Sequence, residues 1–204
     1  MRYFMFNKPR GCVTARCDPR HKTVMDYIKE EDKDGLFPIG RLDKDTEGFL
    51  ILTDDGSLCN RINLPESNVT KTYRFYSKCH LEKEDMERLC SGVSIASIKD
   101  RLTASASATI LGYKTMKDIA DLLDEERIVR IKNTRMGERP VTHAQIIITE
   151  GKKHQVKKMI GAVGGYVLYL ERVAIGGLSL DHTLKRGEYR SMTEDELAMI
   201  FVKT

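Results

Sequence analysis

The chain has 204 residues, 41% hydrophobic and 31% charged, a balance that supports a packed core and excludes a disordered, collagen-like or mucin-like chain. Lys and Arg total 34 against 30 for Asp and Glu, and the resulting net charge of +4 is too small by itself to name a polyanionic partner. No apolar run approaches the roughly 20 residues of a membrane-crossing helix, Met1–Pro9 lacks an export-type apolar segment, and the 5 cysteines contain no CxxC pair, so neither a disulfide framework nor a zinc site is expected. A cytoplasmic protein with reduced thiols follows as the expectation.

Arg2–Phe6 reads as an opening strand, broken by Asn7-Lys8-Pro9-Arg10-Gly11. Thr23–Glu31 carries Val24, Tyr27 and Ile28 at helical spacing, and Gly35 with Pro38 stops any continuation. The loop Gly40–Gly48 runs into the apolar strand Phe49–Thr53, which Asp54-Asp55-Gly56 ends in a turn. Lys71–Ser77 is strand-like and Lys83–Leu89 helical, while Thr103–Leu111, Arg127–Ile131 and Thr142–Thr149 are again strand-like. Thr193-Glu194-Asp195-Glu196 is a capping-box pattern that opens a terminal helix. With no regular strand–helix–strand alternation and no repeat, the reading is α+β with a mixed, largely antiparallel sheet, in one continuous domain over residues 1–204, with a division into two subdomains as the alternative.

Charge is unevenly spread. Arg2, Lys8, Arg10, Arg16, Arg20 and Lys22 face a single acid, Asp18, and Lys152, Lys153, Lys157 and Lys158 cluster downstream, whereas acids gather over Asp118–Glu126. A basic face opposite an acidic back suits phosphate-backbone binding, although charge runs are usually just solvated.

Asp43, in a charged loop before an apolar strand, is a candidate carboxylate, although an isolated aspartate there most often bonds its own backbone. Asp43, Asp45, Glu47, Gly48 and Asp54 mimic calcium-loop spacing, but the twelfth position lacks its Glu, Pro38 and Gly40 break the incoming helix, and a strand follows. In Glu150–Met159, the residues Val156, Met159, Ile160 and Val163 make one apolar stripe, and His154, Lys157 and Lys158 lie off it, a packed face with a basic one. A metal role for His154 alone is not expected. Lys71 and Tyr73 share a strand face; such a Tyr is usually core, but its ring also suits base stacking. Phosphate-loop, dinucleotide, zinc-protease and serine-hydrolase motifs are all missing.

Taken in order, these pieces resemble the RsuA family of ribosomal RNA pseudouridine synthases. Asn7-Lys8-Pro9-Arg10-Gly11 is similar to the opening motif, and Gly40-Arg41-Leu42-Asp43 through Leu52-Thr53-Asp54-Asp55-Gly56 to the catalytic-aspartate motif. Lys71-Thr72-Tyr73 resembles the tyrosine motif, and Glu150–Met159 the third motif. Leu170-Glu171-Arg172, Ile175-Gly176-Gly177 and Gly187-Glu188-Tyr189-Arg190 resemble the C-terminal signature. Most of the family begin with a small RNA-binding domain of the S4 type, which this sequence does not show, and Ser94–Pro140 is longer than the family pattern.

The resemblance implies the pseudouridine synthase fold, a mixed sheet flanked by helices around an active-site cleft. It also implies isomerisation of a uridine in ribosomal RNA to pseudouridine, without a cofactor or metal. Asp43 is then the essential carboxylate, as nucleophile or as base. Lys157 is its basic partner, Tyr73 stacks on the turned base, and Leu170 lines the pocket. Arg41 contacts phosphate or fills the space a flipped base leaves, and Lys8, Lys71, Lys152, Lys153, His154 and Lys158 are expected to contact substrate. The partner implied is ribosomal RNA or an assembling subunit, the third motif looking closest to the small-subunit branch, with a monomer as the default. The alternative is an RNA-binding or assembly factor without catalysis.

Overall fold

The computed structural model describes residues 1–96, 101–123, 128 and 135–202. The chain forms two compact units, the first of residues 1–72 and 171–204 and the second of residues 73–170.

In the first unit, β1 (Tyr3–Lys8) pairs antiparallel with β3 (Glu47–Thr53), from Tyr3 opposite Thr53 to Lys8 opposite Gly48. β2 (Phe37–Ile39) lies antiparallel on β3, and β9 (Tyr189–Ser191) antiparallel on β1. Every residue of β3 is buried because both of its faces are covered. Phe49 and Ile51 join Met5, Ile39, Leu58 and Ile62 on one side, and Leu50 and Leu52 join Phe4, Phe6, Val24 and Leu36 on the other. The Phe49–Thr53 strand reading holds, extended by two residues at its start, whereas the strand read as Arg2–Phe6 begins at Tyr3 and runs on to Lys8.

The helix expected over Thr23–Glu31 is instead a 3-10 turn, Val24–Tyr27, followed by a one-turn helix α1 (Glu30–Lys33). Asp26 accepts from the Thr23 N–H and caps the turn, and Ile28 is extended, so Val24, Met25 and Ile28 enter the core without a continuous helix. The turn expected at Asp54–Gly56 opens a helix, α2 (Gly56–Asn63). Asp55 caps it, accepting from Ser57 N at 2.8 Å and Leu58 N at 3.2 Å. The terminal helix α5 (Glu194–Met199) begins at the Thr193/Glu196 capping box as read.

The second unit holds most of β4 (Lys71–Lys78), then α3 (Lys83–Ser91), β5 (Ser107–Thr115), β6 (Pro140–Ile148), α4 (Gln155–Ala162) and the start of β7 (Tyr166–Ile175). β7 ends in the first unit, where a two-residue strand β8 (Leu178–Ser179) turns back on it. β5 and β6 pair antiparallel with a bulge between Ile110 and Gly112. β5 starts later than the Thr103–Leu111 pattern suggests, because Thr103 is tied to Val93 through both its N–H and its hydroxyl. Within 94–140, Met116, Ile119 and Leu123 pack on Val141 and Leu168. Of the strand expected at Arg127–Ile131, all but Ile128 lies outside the described residues. Among the strand pairings described, β3 with β7 is parallel and β1–β3, β1–β9, β2–β3, β5–β6 and β7–β8 are antiparallel, an α+β arrangement with a mixed, mostly antiparallel sheet.

Candidate active site

Asp43 sits in the loop between β2 and β3, and the backbone around it is pinned on both sides. Thr14 donates its hydroxyl to Leu42 O at 2.8 Å and accepts from Leu42 N at 3.1 Å. Gly11 N reaches Lys44 O at 2.8 Å, and Thr46 N closes a turn on Asp43 O at 3.1 Å. Lys8 completes the frame: its ammonium donates to Thr46 O at 2.8 Å, Pro9 O at 3.0 Å and Lys44 O at 3.5 Å. The Asp43 side chain itself is half-buried on this rigid loop, the placement a reacting carboxylate needs.

Lys8 has no exposed surface, so the substrate contact expected of it gives way to a bracing role. Burial pushes its ammonium below the usual lysine range, opposed by Cys12, Glu47, Asp45 and Asp43, so it is also a fixed positive charge within electrostatic reach of Asp43. Arg2 is likewise used internally, paired with Asp54 at 3.0 Å and bonded to the carbonyls of Asp32 and Asp34. The opening basic run is therefore not the continuous RNA face its sequence suggests. The calcium-like spacing is also resolved into other uses, Asp54 holding Arg2 and Glu47 lying buried in β3 beside Arg10 and Arg186.

Beyond the loop, Gly48 and Arg172 are parallel partners on β3 and β7. Gly48 has φ +99, and a Cβ there would fall 2.3 Å from Arg172 O, so this position demands glycine. Arg172 is 4% exposed; its Nε donates to Phe49 O at 2.7 Å, while Nη2 is buried without a hydrogen-bond partner among the described residues. Burial and the neighbouring Arg172 charge lower Lys71 to about 8.

In the second unit, Tyr73 (9% exposed) and Leu170 (4%) are buried. Helix α4 starts at Gln155, later than the motif's first residues, and Glu150–His154 is a loop. Gln155 fixes that loop, donating to Glu150 Oε2 at 2.8 Å and accepting from Lys152 N at 2.9 Å. His154 makes the entry with a left-handed backbone, φ +55. Val156, Met159, Ile160 and Val163 are all buried, Lys157 and Lys158 are half-buried, and Lys152, Lys153 and His154 are exposed, as the periodicity reads.

Of the sequence-selected residues, Asp43, Arg41, Lys8 and Lys71 belong to the first unit. Tyr73, Lys152, Lys153, His154, Lys157, Lys158 and Leu170 belong to the second. Within the first, Lys8 and Asp43 come together, and Arg41 is exposed on the same loop. Within the second, Lys157 and Lys158 share α4, and Lys152, Lys153 and His154 share its entry loop. Thr14, Glu47 and Arg172 went unselected. Glu47 left a signal, an acid opening the otherwise uncharged strand Glu47–Thr53, which burial obliges to find a cation.

Residues 2–162 match the family described as RNA pseudouridylate synthase. The chain is 42% identical over 199 residues to YtzG, an uncharacterized RNA pseudouridine synthase of Bacillus subtilis, covering 97% of this chain and 72% of that protein. It is 35% identical to the ribosomal small subunit pseudouridine synthase A of Escherichia coli, covering 98% of this chain and 74% of that protein. A crystal structure of a pseudouridylate synthase superposes with a TM-score of 0.79 at 30% identity, over 98% of this chain and 73% of that one.

Proposed function

Because the chain belongs to the RNA pseudouridylate synthase family, we propose that it isomerises one uridine of small-subunit ribosomal RNA to pseudouridine, with Asp43 as the essential carboxylate. The family supplies the reaction class. The small-subunit target is supported by the 35% identity to the Escherichia coli enzyme of that name across nearly the whole chain. The observation that carries Asp43 is the frame around it, with backbone held by Thr14, Gly11 and the sealed Lys8 and a carboxylate left half-buried.

In the reaction the bond from ribose C1′ to N1 breaks, the uracil turns, C5 bonds to C1′, and the C5 proton leaves while N1 gains one. Product and substrate have the same atoms and oxidation level, so the chemistry requires no cofactor. Asp43 acts as an ionised carboxylate, attacking C1′ or removing a ribose proton. Lys157 is its basic partner. Tyr73 stacks on the turned base and Leu170 supplies an apolar wall. Extruding the base from folded RNA costs a few kcal/mol, and Arg41 takes the vacated space or a phosphate. Lys71, Lys152, Lys153, His154 and Lys158 contact the RNA backbone. The protein works as a monomer in the cytoplasm on ribosomal RNA or an assembling subunit, residues 1–204 forming the catalytic domain. Among the described residues no helix is long and apolar enough to cross a membrane.

The test is pseudouridine mapping by carbodiimide-dependent reverse-transcription stops on small-subunit RNA and assembling subunits incubated with the protein. One new stop is expected; none on any ribosomal substrate would overturn the reading. Asp43→Asn should lower turnover by about 10³-fold or more while RNA affinity stays within about threefold, because surface cations supply most of the binding. A non-catalytic assembly role predicts instead that Asp43→Asn rescues growth and assembly.

A further inference from the structure

Lys8 and Arg2 of the opening basic run are used inside the first unit, but the loop of residues 15–22 keeps its charge at the surface. It carries Arg16, Arg20 and Lys22 against a single acid, Asp18. Arg16 and Arg20 are exposed, and among the described residues neither guanidinium has an acid or a carbonyl to bind. Other arginines of the same unit are engaged: Arg2 pairs with Asp54, Arg190 with Asp181 and Glu196, and Arg61 lies over the Phe201 ring.

Asp18 is spent on the loop's own fold. Its Oδ1 accepts from Arg20 N at 2.9 Å and His21 N at 2.8 Å, and it lies 3.1 Å from His21 Nδ1, with Pro19 fixing the backbone between them. The stem is closed by Val13 N on Lys22 O at 2.9 Å and Val24 N on Val13 O at 3.0 Å. Lys22 folds back over Tyr27, its ammonium 4.0 Å from the ring centroid. The loop is thus shaped before a ligand arrives, which keeps the ordering cost of binding low. Thr14, just outside the stem, holds Leu42 through both its N–H and its carbonyl. Arg16 is two residues from that junction and Asp43 one, so chain geometry keeps their Cα atoms within roughly 18 Å.

We propose that the loop of residues 15–22 is a phosphate-binding grip for the substrate RNA, in which Arg16 and Arg20 hold phosphodiesters flanking the nucleotide presented to Asp43. Guanidiniums suit this task because their N–H forks match phosphate oxygens in pairs. Backbone contacts of this kind carry no sequence information, but they set the register of the strand. Asp18 is a positioning residue that shapes the loop and touches no substrate. Thr14 ties the grip to the loop that bears the carboxylate. The proposal rests on the synthase reading and deepens it, because it assigns a strand contact beside the reacting nucleotide to residues outside the motifs.

The experiment compares the unaltered protein with Arg16→Gln/Arg20→Gln, Arg16→Lys/Arg20→Lys, Asp18→Ala and Asp18→Asn, in small-subunit RNA titrations from about 50 to about 200 mM salt and in steady-state turnover. The double glutamine variant should raise KM about 10-fold with kcat within about twofold, and reduce the slope of log affinity against log salt by about 1.4 to 1.8, its melting temperature unmoved. The double lysine variant should restore the slope but only part of the KM, since a point charge lacks the fork. Asp18→Ala should raise KM about threefold with the slope retained, and Asp18→Asn, which keeps an accepting oxygen, should bring KM back. If the unaltered protein forms no pseudouridine, the synthase reading fails and the salt slopes still decide whether the loop holds RNA. An unchanged KM and slope in the double glutamine variant would overturn the grip and leave the arginines merely solvated. A reduced slope with KM unchanged would equally overturn it, by placing the contact away from the reacting nucleotide.

Discussion

The loop bearing Asp43 and the loop entering α4 both carry lysines in glycine-containing segments, yet they use charge in opposite ways. Around Asp43 the cation is sealed inside: Lys8 has no exposed surface and spends its ammonium on three backbone carbonyls. At Glu150–His154 the neutral and acidic side chains do the fastening, through Gln155 and Glu150, and Lys152 and Lys153 stand in solvent. Holding one carboxylate in place calls for a cation that cannot move. Gathering a polyanion calls for cations that remain accessible.

The sharpest way to break that contrast is Lys8→Met. Removing a buried ammonium leaves the carbonyls of Pro9, Lys44 and Thr46 without their donor, a loss of about 3 kcal/mol. Urea unfolding should show it, with RNA affinity of the folded fraction within about twofold of the unaltered protein. A variant of undiminished stability that binds RNA poorly would return Lys8 to the substrate-contacting set.

Lys152→Ala with Lys153→Ala should behave in the reverse manner. Both side chains are exposed, so stability should move by no more than about 0.5 kcal/mol. If each lysine neutralises one phosphate, the salt slope of RNA binding should fall by about 1.4 for a single-stranded contact and about 1.8 for a duplex one. An unchanged slope would mean these lysines are merely solvated and that binding is supplied elsewhere.

The contrast also explains which features could be read from the sequence. Short continuous apolar runs made β1 and β3 legible, and the apolar stripe of α4 fixed which of its faces is buried, because hydrophobic spacing reports directly on burial. Asp55 was read as a turn residue since an Asp-Gly pair favours turns, whereas here its side chain caps α2. Lys8 and Arg2 looked like surface charge because nothing local distinguishes a buried cation from an exposed one; what decides it is Thr46 at 38 residues' distance and Asp54 at 52. Glu47 and Arg186 were missed for the same reason, a pairing between residues far apart in sequence. Short elements such as β2, β8 and β9 hold their places through neighbours rather than through any pattern of their own.

Lys71 is intermediate between the two regimes, partly buried yet facing another cation, and it gives the smallest effect. Burial and Arg172 lower its folded value to about 8, below the unfolded lysine value of 10.5. The folded state thus disfavours the charged form, so the associated stability is present above the unfolded value and is lost as pH falls from there through about 8. Lys71→Met should therefore stabilise the protein near pH 7 by under about 1 kcal/mol, solvent screening included. That advantage should shrink as pH rises past about 8. Parallel melting curves of the two proteins between pH 7 and 10 read the difference directly. A gap that stays constant across that range would mean the ammonium is not desolvated in the fold; a gap that closes, accompanied by weaker RNA binding in Lys71→Met, marks a charge retained at a cost in stability for the sake of substrate.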